Sequence, residues 1–219
     1  MSQRPVPVEV VGENGVSLRG LEWPTPGPPV IFVHDYGADL DQWDSLTGGL
    51  SKAGYRVVSL ELSGHGLSDG EPAESSIAED VRNMVVQTSS VWGPCGLVVT
   101  GLSCRGAVEV GAGHGAPVQI LLSPPQMSTD FLKSGEKAMR MIMAGGTDQD
   151  GHAAAKAAHD YLPGQRMLMT VAGSSETGVG LATLRPSILE DMAQFFRHSL
   201  APINMAWVKH KEAESAETS

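Results

Sequence analysis

The chain has 219 residues, 41% of them apolar and 18% charged, so it can build a sizeable core and does not have the composition of a disordered polymer. Fifteen Lys and Arg stand against 25 Asp and Glu, a formal charge of -10. Such a surface repels phosphate backbones and anionic lipid, so nucleic-acid and membrane partners are not expected.

Val6 to Val11 and Ser17 to Trp23 read as two strands, and Asn14-Gly15 between them is a hairpin signal because both residues tolerate positive φ. A proline-rich connector, Pro24 to Pro29, leads into Val30-Ile31-Phe32-Val33, a continuous apolar run of the kind buried on both faces of a sheet. Trp43, Leu46, Leu50 and Ala53 follow helical spacing, and Gly54 stops that helix. Arg56 to Leu60 is the next strand. Ser76-Ile77-Ala78-Glu79 fits a capping box, with Ile77, Val81, Met84, Val85, Thr88 and Trp92 continuing one helix face.

Leu97 to Thr100 is a strand that runs into Gly101-Leu102-Ser103-Cys104-Arg105-Gly106 and a short small-residue helix. Strands are expected at Val118 to Leu122, Met139 to Ala144 and Met167 to Ala172, with an Ala-rich helix at Ala153 to Leu162. Met139, Met141 and Met143 alternate, as soft core packing on one strand face would require. Pro186 opens a final amphipathic helix, and residues 209–219 read as a frayed polar tail behind a single domain over 1–208. A hairpin followed by strands alternating with helices predicts an α/β architecture: a mostly parallel sheet with an N-terminal antiparallel hairpin and helices on both faces.

No apolar run approaches the roughly 20 residues that span a bilayer. The segment Met1 to Val10 holds two prolines, an Arg and a Glu, unlike a signal peptide, so a cytoplasmic location is expected. Cys95 and Cys104 are separated mostly by strand, too far apart to bridge, and are read as free thiols. No Cys/His spacing resembles a metal site, and no cofactor is expected.

Ligands of doubly wound sheets sit beyond the carboxyl ends of the strands. Four segments reach that edge: His34-Asp35-Tyr36-Gly37, Gly64-His65-Gly66-Leu67-Ser68, Gly101 to Gly106, and Gly145-Gly146-Thr147-Asp148. Ser103 stands at a strand-to-helix junction. It reads either as a nucleophile on a strained turn, with the Cys104 and Tyr36 N–H groups as oxyanion donors, or as an ordinary helix cap.

These residues together resemble the α/β-hydrolases of the serine esterase and lipase type. Val30 to Gly70 carries an apolar strand, His-x-x-Gly, a Trp in the next helix and Gly-His-Gly-x-Ser; Gly101 to Gly106 resembles the nucleophile turn. Asp148 falls at the acid position, and Thr177-Gly178-Val179-Gly180-Leu181 resembles a His-Gly-Thr-Gly-Leu pattern. The resemblance implies an α/β-hydrolase fold. No lid domain fits between Ser123 and Lys137, which implies an open, shallow site.

The sequence departs from that pattern. Thr177 stands where the resemblance places the base His, and a hydroxyl has no pKa near 7. Arg105 replaces a Gly two places after Ser103. Asp35 replaces a frequent Gly beside the oxyanion loop, where its carboxylate opposes negative charge unless it pairs with Arg105; Glu109 is the other partner for that Arg. Ser63 and Glu61 are read as local structural changes.

Among the other histidines, His152, four residues after Asp148, reads as a relocated base or as a solvated helix-start residue. His34 lines the site and is read as structural, and Cys104 is a further nucleophile candidate without an evident base.

Two functions follow. One is a hydrolase-like chain with Ser103 and Asp148 retained and the base lost, acting weakly or by binding a small ligand or partner. Thr177→His would then raise ester turnover at least tenfold, a floor set below the roughly 10²–10⁴ that a positioned base provides. The alternative is an active serine hydrolase of small acyl substrates, with its base supplied from elsewhere, His152 first. Oligomeric state is not readable.

Overall fold

The computed structural model describes residues 4–12 and 15–217. Eight strands form one sheet: β1 (Val6–Val11), β2 (Ser17–Trp23), β3 (Pro29–Val33), β4 (Arg56–Leu60), β5 (Gly96–Thr100), β6 (Val118–Leu122), β7 (Met139–Gly145) and β8 (Arg166–Val171). Their order is β1-β2-β4-β3-β5-β6-β7-β8. The first two pair antiparallel, β2 pairs antiparallel with β4, and the remaining pairs are parallel. The expected architecture is therefore present. Of the hairpin turn, Gly15 has φ +79, while Asn14 lies outside the described residues.

Among the described residues eight α-helices flank the sheet: α1 (Asp44–Lys52), α2 (Ile77–Trp92), α3 (Ser103–Glu109), α4 (Thr129–Lys133), α5 (Gln149–Tyr161), α6 (Gly178–Thr183), α7 (Pro186–Ser199) and α8 (Ala201–Glu217). Only the five-residue α4 lies between β6 and β7, where a lid would be inserted.

Alternation along β3 explains its unbroken apolar run. Ile31 and Val33 join the core with α2 residues Val81 and Met84, while Val30 and Phe32 join the opposite core with Met192 and Phe196 of α7. Met141 and Met143 enter that second core, with Met139 packed against it, as their alternation requires.

Three local expectations change. The capping box does not form: a 3-10 turn over Glu74–Ser76 precedes α2, and the Ser76 hydroxyl donates to the Ala73 carbonyl instead. The Ala-rich helix starts four residues early, because Asp148 caps it by accepting from the Gly151 N–H at 3.1 Å.

Residues 209–217 continue α8 rather than fraying. Lys211 and His210 pair with Glu214 along the helix, at 2.9 and 3.1 Å. Asn204 donates to the carbonyls of Trp92 and Pro94, fastening α8 to the end of α2. Among the described residues no helix is long and apolar enough to cross a membrane.

Candidate functional site

The carboxyl ends of β3, β5, β6, β7 and β8 deliver one residue group each to a shared cavity of about 560 Å³. Asp35 follows β3, Thr100 and Gly101 follow or end β5, and Ser123 with Pro124 follows β6. Asp148 opens α5 after β7, and Thr177 with Gly178 opens α6 after β8. A larger groove of about 930 Å³ lies between the β1–β2 hairpin and the 38–41 and 61–67 segments. The smaller cavity is the candidate site, because it stands over the parallel strand ends where the strand-to-helix turns converge.

Ser103 is not part of that cavity. It is the first residue of α3, fully buried, and its hydroxyl donates to the His34 carbonyl at 2.5 Å. The positive-φ corner directly after β5 is Gly101, at φ +54, a conformation that glycine adopts without strain. The expectation of a strained, presented Ser103 is thus overturned. The chain makes its sharp turn two residues earlier, and Ser103 ties the start of α3 to the end of β3. The Cys104 N–H is likewise used up, donating to the Gly101 carbonyl at 3.1 Å to close the turn.

Asp35 does not pair with Arg105. Its Oδ1 accepts from the Tyr36 N–H at 2.8 Å and from the Leu102 N–H at 2.7 Å. Arg105 points the other way, exposed beside Glu109 in a separate small recess. A Cβ placed on Gly101 would lie 1.9 Å from Asp35 Oδ2 and 2.1 Å from its Cγ, so the carboxylate fills the space beside this glycine.

Asp148 and Thr177 do line the cavity together. The Asp148 carboxylate serves as the α5 cap. The Gly178 N–H, one residue after Thr177, donates to Ser123 Oγ at 2.8 Å. Ser123 is, among the described residues, the non-glycine residue with positive φ (+49), a strained position held at a cavity wall. The sequence placed Gly101 and Leu102 in an edge segment but did not single out Gly101 as the corner or the Leu102 N–H as a donor, and it gave Ser123 no role at the site. A glycine directly after a predicted strand was the available signal for Gly101.

The histidines near this edge are held by backbone. His34 Nε2 accepts from the Leu62 N–H at 3.1 Å, which leaves Nδ1 to donate to the Asp35 carbonyl at 2.7 Å. His65 Nε2 accepts from the Gly37 N–H at 3.0 Å, and its Nδ1 donates to the Ser63 carbonyl at 2.9 Å. Each ring has its lone-pair nitrogen engaged by a backbone N–H, so neither is free to accept a hydrogen bond from a nucleophile. Burial, only partly offset by the Asp35 carbonyl bond, lowers the His34 pKa from its ordinary value.

His152 turns toward β8, its Nε2 3.1 Å from Thr170 Oγ1, and does not line the cavity. Burial raises the Cys104 thiol well above its ordinary pKa, which disfavours the nucleophilic thiolate, and raises Cys95 to about 12. Glu61 and Ser63 act locally. Glu61 accepts from the Leu67 N–H at 2.7 Å, and the Ser63 hydroxyl donates to buried Asp80 at 2.6 Å.

Residues 28–91 match the family model described as alpha/beta hydrolase fold. The chain is 28% identical over 107 residues to a non-heme chloroperoxidase of Streptomyces lividans, covering 48% of this chain and 35% of that protein. It is 30% identical over 125 residues to the dihydrolipoyllysine-residue acetyltransferase component of an acetoin cleaving system of Cupriavidus necator, covering 56% and 33%. The chain thus spans about a third of the length of these relatives.

Among solved structures, a DcsB complex with its substrate analogue superposes with TM-score 0.76 at 14% identity, over 90% of this chain and 100% of that one. A dienelactone hydrolase from Anabaena variabilis gives 0.72 at 17% identity, over 91% and 99%. An esterase from Pyrococcus furiosus gives 0.71 at 14% identity, over 90% and 92%.

Proposed function

We propose that this chain, which has the α/β-hydrolase fold and matches that family's model over residues 28–91, binds a small ligand in the cavity at the carboxyl edge of its sheet and does not hydrolyse it through a serine triad. The observation that carries this reading is the state of Ser103: wholly buried, and giving its hydroxyl proton to the His34 carbonyl at 2.5 Å. A nucleophile needs an exposed oxygen and a base within hydrogen-bond reach. The cavity lining includes no imidazole, and Thr177 at its rim cannot take a proton near neutral pH. His152 as a relocated base has no observation in its favour, since its ring is turned to Thr170.

What remains is a pocket of ligand size with polar groups from five strand ends. The test is fluorophosphonate labelling together with p-nitrophenyl acetate turnover, in wild type, Ser103→Ala and His152→Ala. No labelling is expected, and turnover in all three is expected to equal that of a protein-free control. Labelling lost in Ser103→Ala would overturn the reading. Turnover lost in His152→Ala would establish the active alternative.

A further inference from the structure

Two backbone N–H groups converge on one oxygen, and that oxygen belongs to the protein itself. In a nucleophile turn, the strained residue after the strand presents the reacting side chain. The N–H of the next residue, with an N–H from the loop after an earlier strand, then binds the oxyanion. Here the residue at that corner is Gly101 (φ +54), the next residue is Leu102, and the loop residue is Tyr36. Their N–H groups meet at Asp35 Oδ1, at 2.7 and 2.8 Å. Asp35 Oδ2 lies where a side chain of residue 101 would begin, 1.9 Å from the position of its Cβ. One carboxylate fills both the oxyanion seat and the space of the missing side chain.

We propose that Asp35 sets the ligand specificity of the cavity, by occupying the anion-binding N–H pair with its own carboxylate so that the cavity rejects carboxylates and phosphates and accepts a small organic ammonium group. Oδ1 takes both N–H groups and fixes the orientation of the group; Oδ2 accepts no hydrogen bond from the described residues and lies beside Gly101, and both residues line the cavity. A carboxylate held by one oxygen offers the other as a preorganised acceptor, and charge-assisted bonds to such acceptors are the strong ones. The remaining lining contributes Asp148 and Asp150 and, among the described residues, no Lys, Arg or His, so no cationic side chain there offsets the charge of Asp35 toward an incoming anion. The N–H pair alone would favour the opposite ligand, as backbone N–H pairs do at anion sites.

The proposal rests on the ligand-binding reading above, but its test does not. Wild type, Asp35→Ala and Asp35→Asn are titrated with sodium acetate and with n-propylammonium chloride, following backbone amide resonances by NMR. In wild type, propylammonium is expected to shift the Gly101, Leu102 and Gly178 amides, and acetate to leave them in place. In Asp35→Ala the order reverses: acetate seats on the freed Tyr36 and Leu102 N–H groups, about tenfold or more tighter than in wild type, the scale of charge-assisted bonds.

Asp35→Asn keeps an acceptor oxygen in the seat without the charge, so it is expected to lose the propylammonium response and gain none to acetate. If Asp35→Ala does not fold, Asp35→Asn decides. Acetate shifting the Tyr36 and Leu102 amides of wild type overturns the proposal. So does wild type insensitive to propylammonium, or Asp35→Asn binding it unchanged. Esterase activity of wild type would overturn the ligand-binding reading and leave this charge preference standing.

Discussion

Gly101 and Asp35 are tolerated because of each other. A side chain at 101 meets both the positive φ and the Asp35 carboxylate. Gly101→Ser alone is therefore expected to cost at least the strain of a non-glycine residue in a sparsely populated region, of order 1–3 kcal/mol, with the steric overlap added to it. Asp35→Gly in the same chain should return the overlap part. Thermal melts of both single variants and the double variant close the cycle, and strictly additive effects would show that the two positions are independent. At the rim, Thr177→His is expected to leave p-nitrophenyl acetate turnover unchanged, contrary to the gain anticipated from sequence. An imidazole there faces the cavity, whereas the Ser103 hydroxyl is sealed beneath the turn. A Ser103-dependent gain would mean that the α3 start opens.

At the scale of elements, the end of the sheet opposite the cavity holds a buried cation. Arg140, near the start of β7, is fully buried and donates from Nε to Gln119 Oε1 at 2.7 Å. Its other nitrogens donate to the Pro163 and Glu136 carbonyls, both at 2.9 Å. Gln119 in turn donates to the Val110 carbonyl at 2.7 Å, so one network fastens β6 and β7 to three loops. Burial, with Arg166 nearby, lowers the Arg140 pKa to about 10, still above neutral pH. Arg140→Met keeps an unbranched apolar side chain but leaves those acceptors unpaired. It is expected to lower unfolding free energy by about 1–3 kcal/mol or more, the usual penalty for leaving buried neutral acceptors unpaired. Urea denaturation measures this. A loss under about 1 kcal/mol would mean that water reaches the carbonyls.

At the scale of the whole molecule, the two apolar cores flank one sheet, and the loops at its functional edge are tied by imidazoles. His34 links β3 to Leu62 after β4, and His65 links Ser63 to Gly37. Both rings accept from an N–H, which a protonated imidazole cannot do. The folded-state pKa of His34 lies below the unfolded value, so the unfolded chain binds more protons in that interval. The neutral-imidazole contribution is thus complete above about pH 6.5, the unfolded value, and is lost as pH falls through the lower folded value. The melting temperature is expected to decline as pH falls below that point, while the His34 ring resonances stay those of a neutral imidazole. A His34 that titrates at its ordinary value in the folded chain would contradict the buried tautomer.

Periodicity and punctuation determined the architecture. Alternating apolar runs, glycine stops and a hairpin preceding α/β units depend on spacing along the chain, and spacing is what a sequence displays. The residues that reach the carboxyl edge were legible for the same reason: Asp35, Asp148 and Thr177 each follow a recognisable strand and do line one cavity. The direction of each group was not legible. Ser103 or Gly101 as the exposed corner depends on where β5 ends and on which residue takes positive φ, a difference of two residues that packing of α3 against the sheet decides. The partner of Asp35 was equally hidden. A nearby arginine in sequence is a plausible ion-pair partner, but the Tyr36 and Leu102 N–H groups come together only when the loop after β3 meets the turn after β5. Contacts between segments 67 residues apart are set by the closure of the sheet.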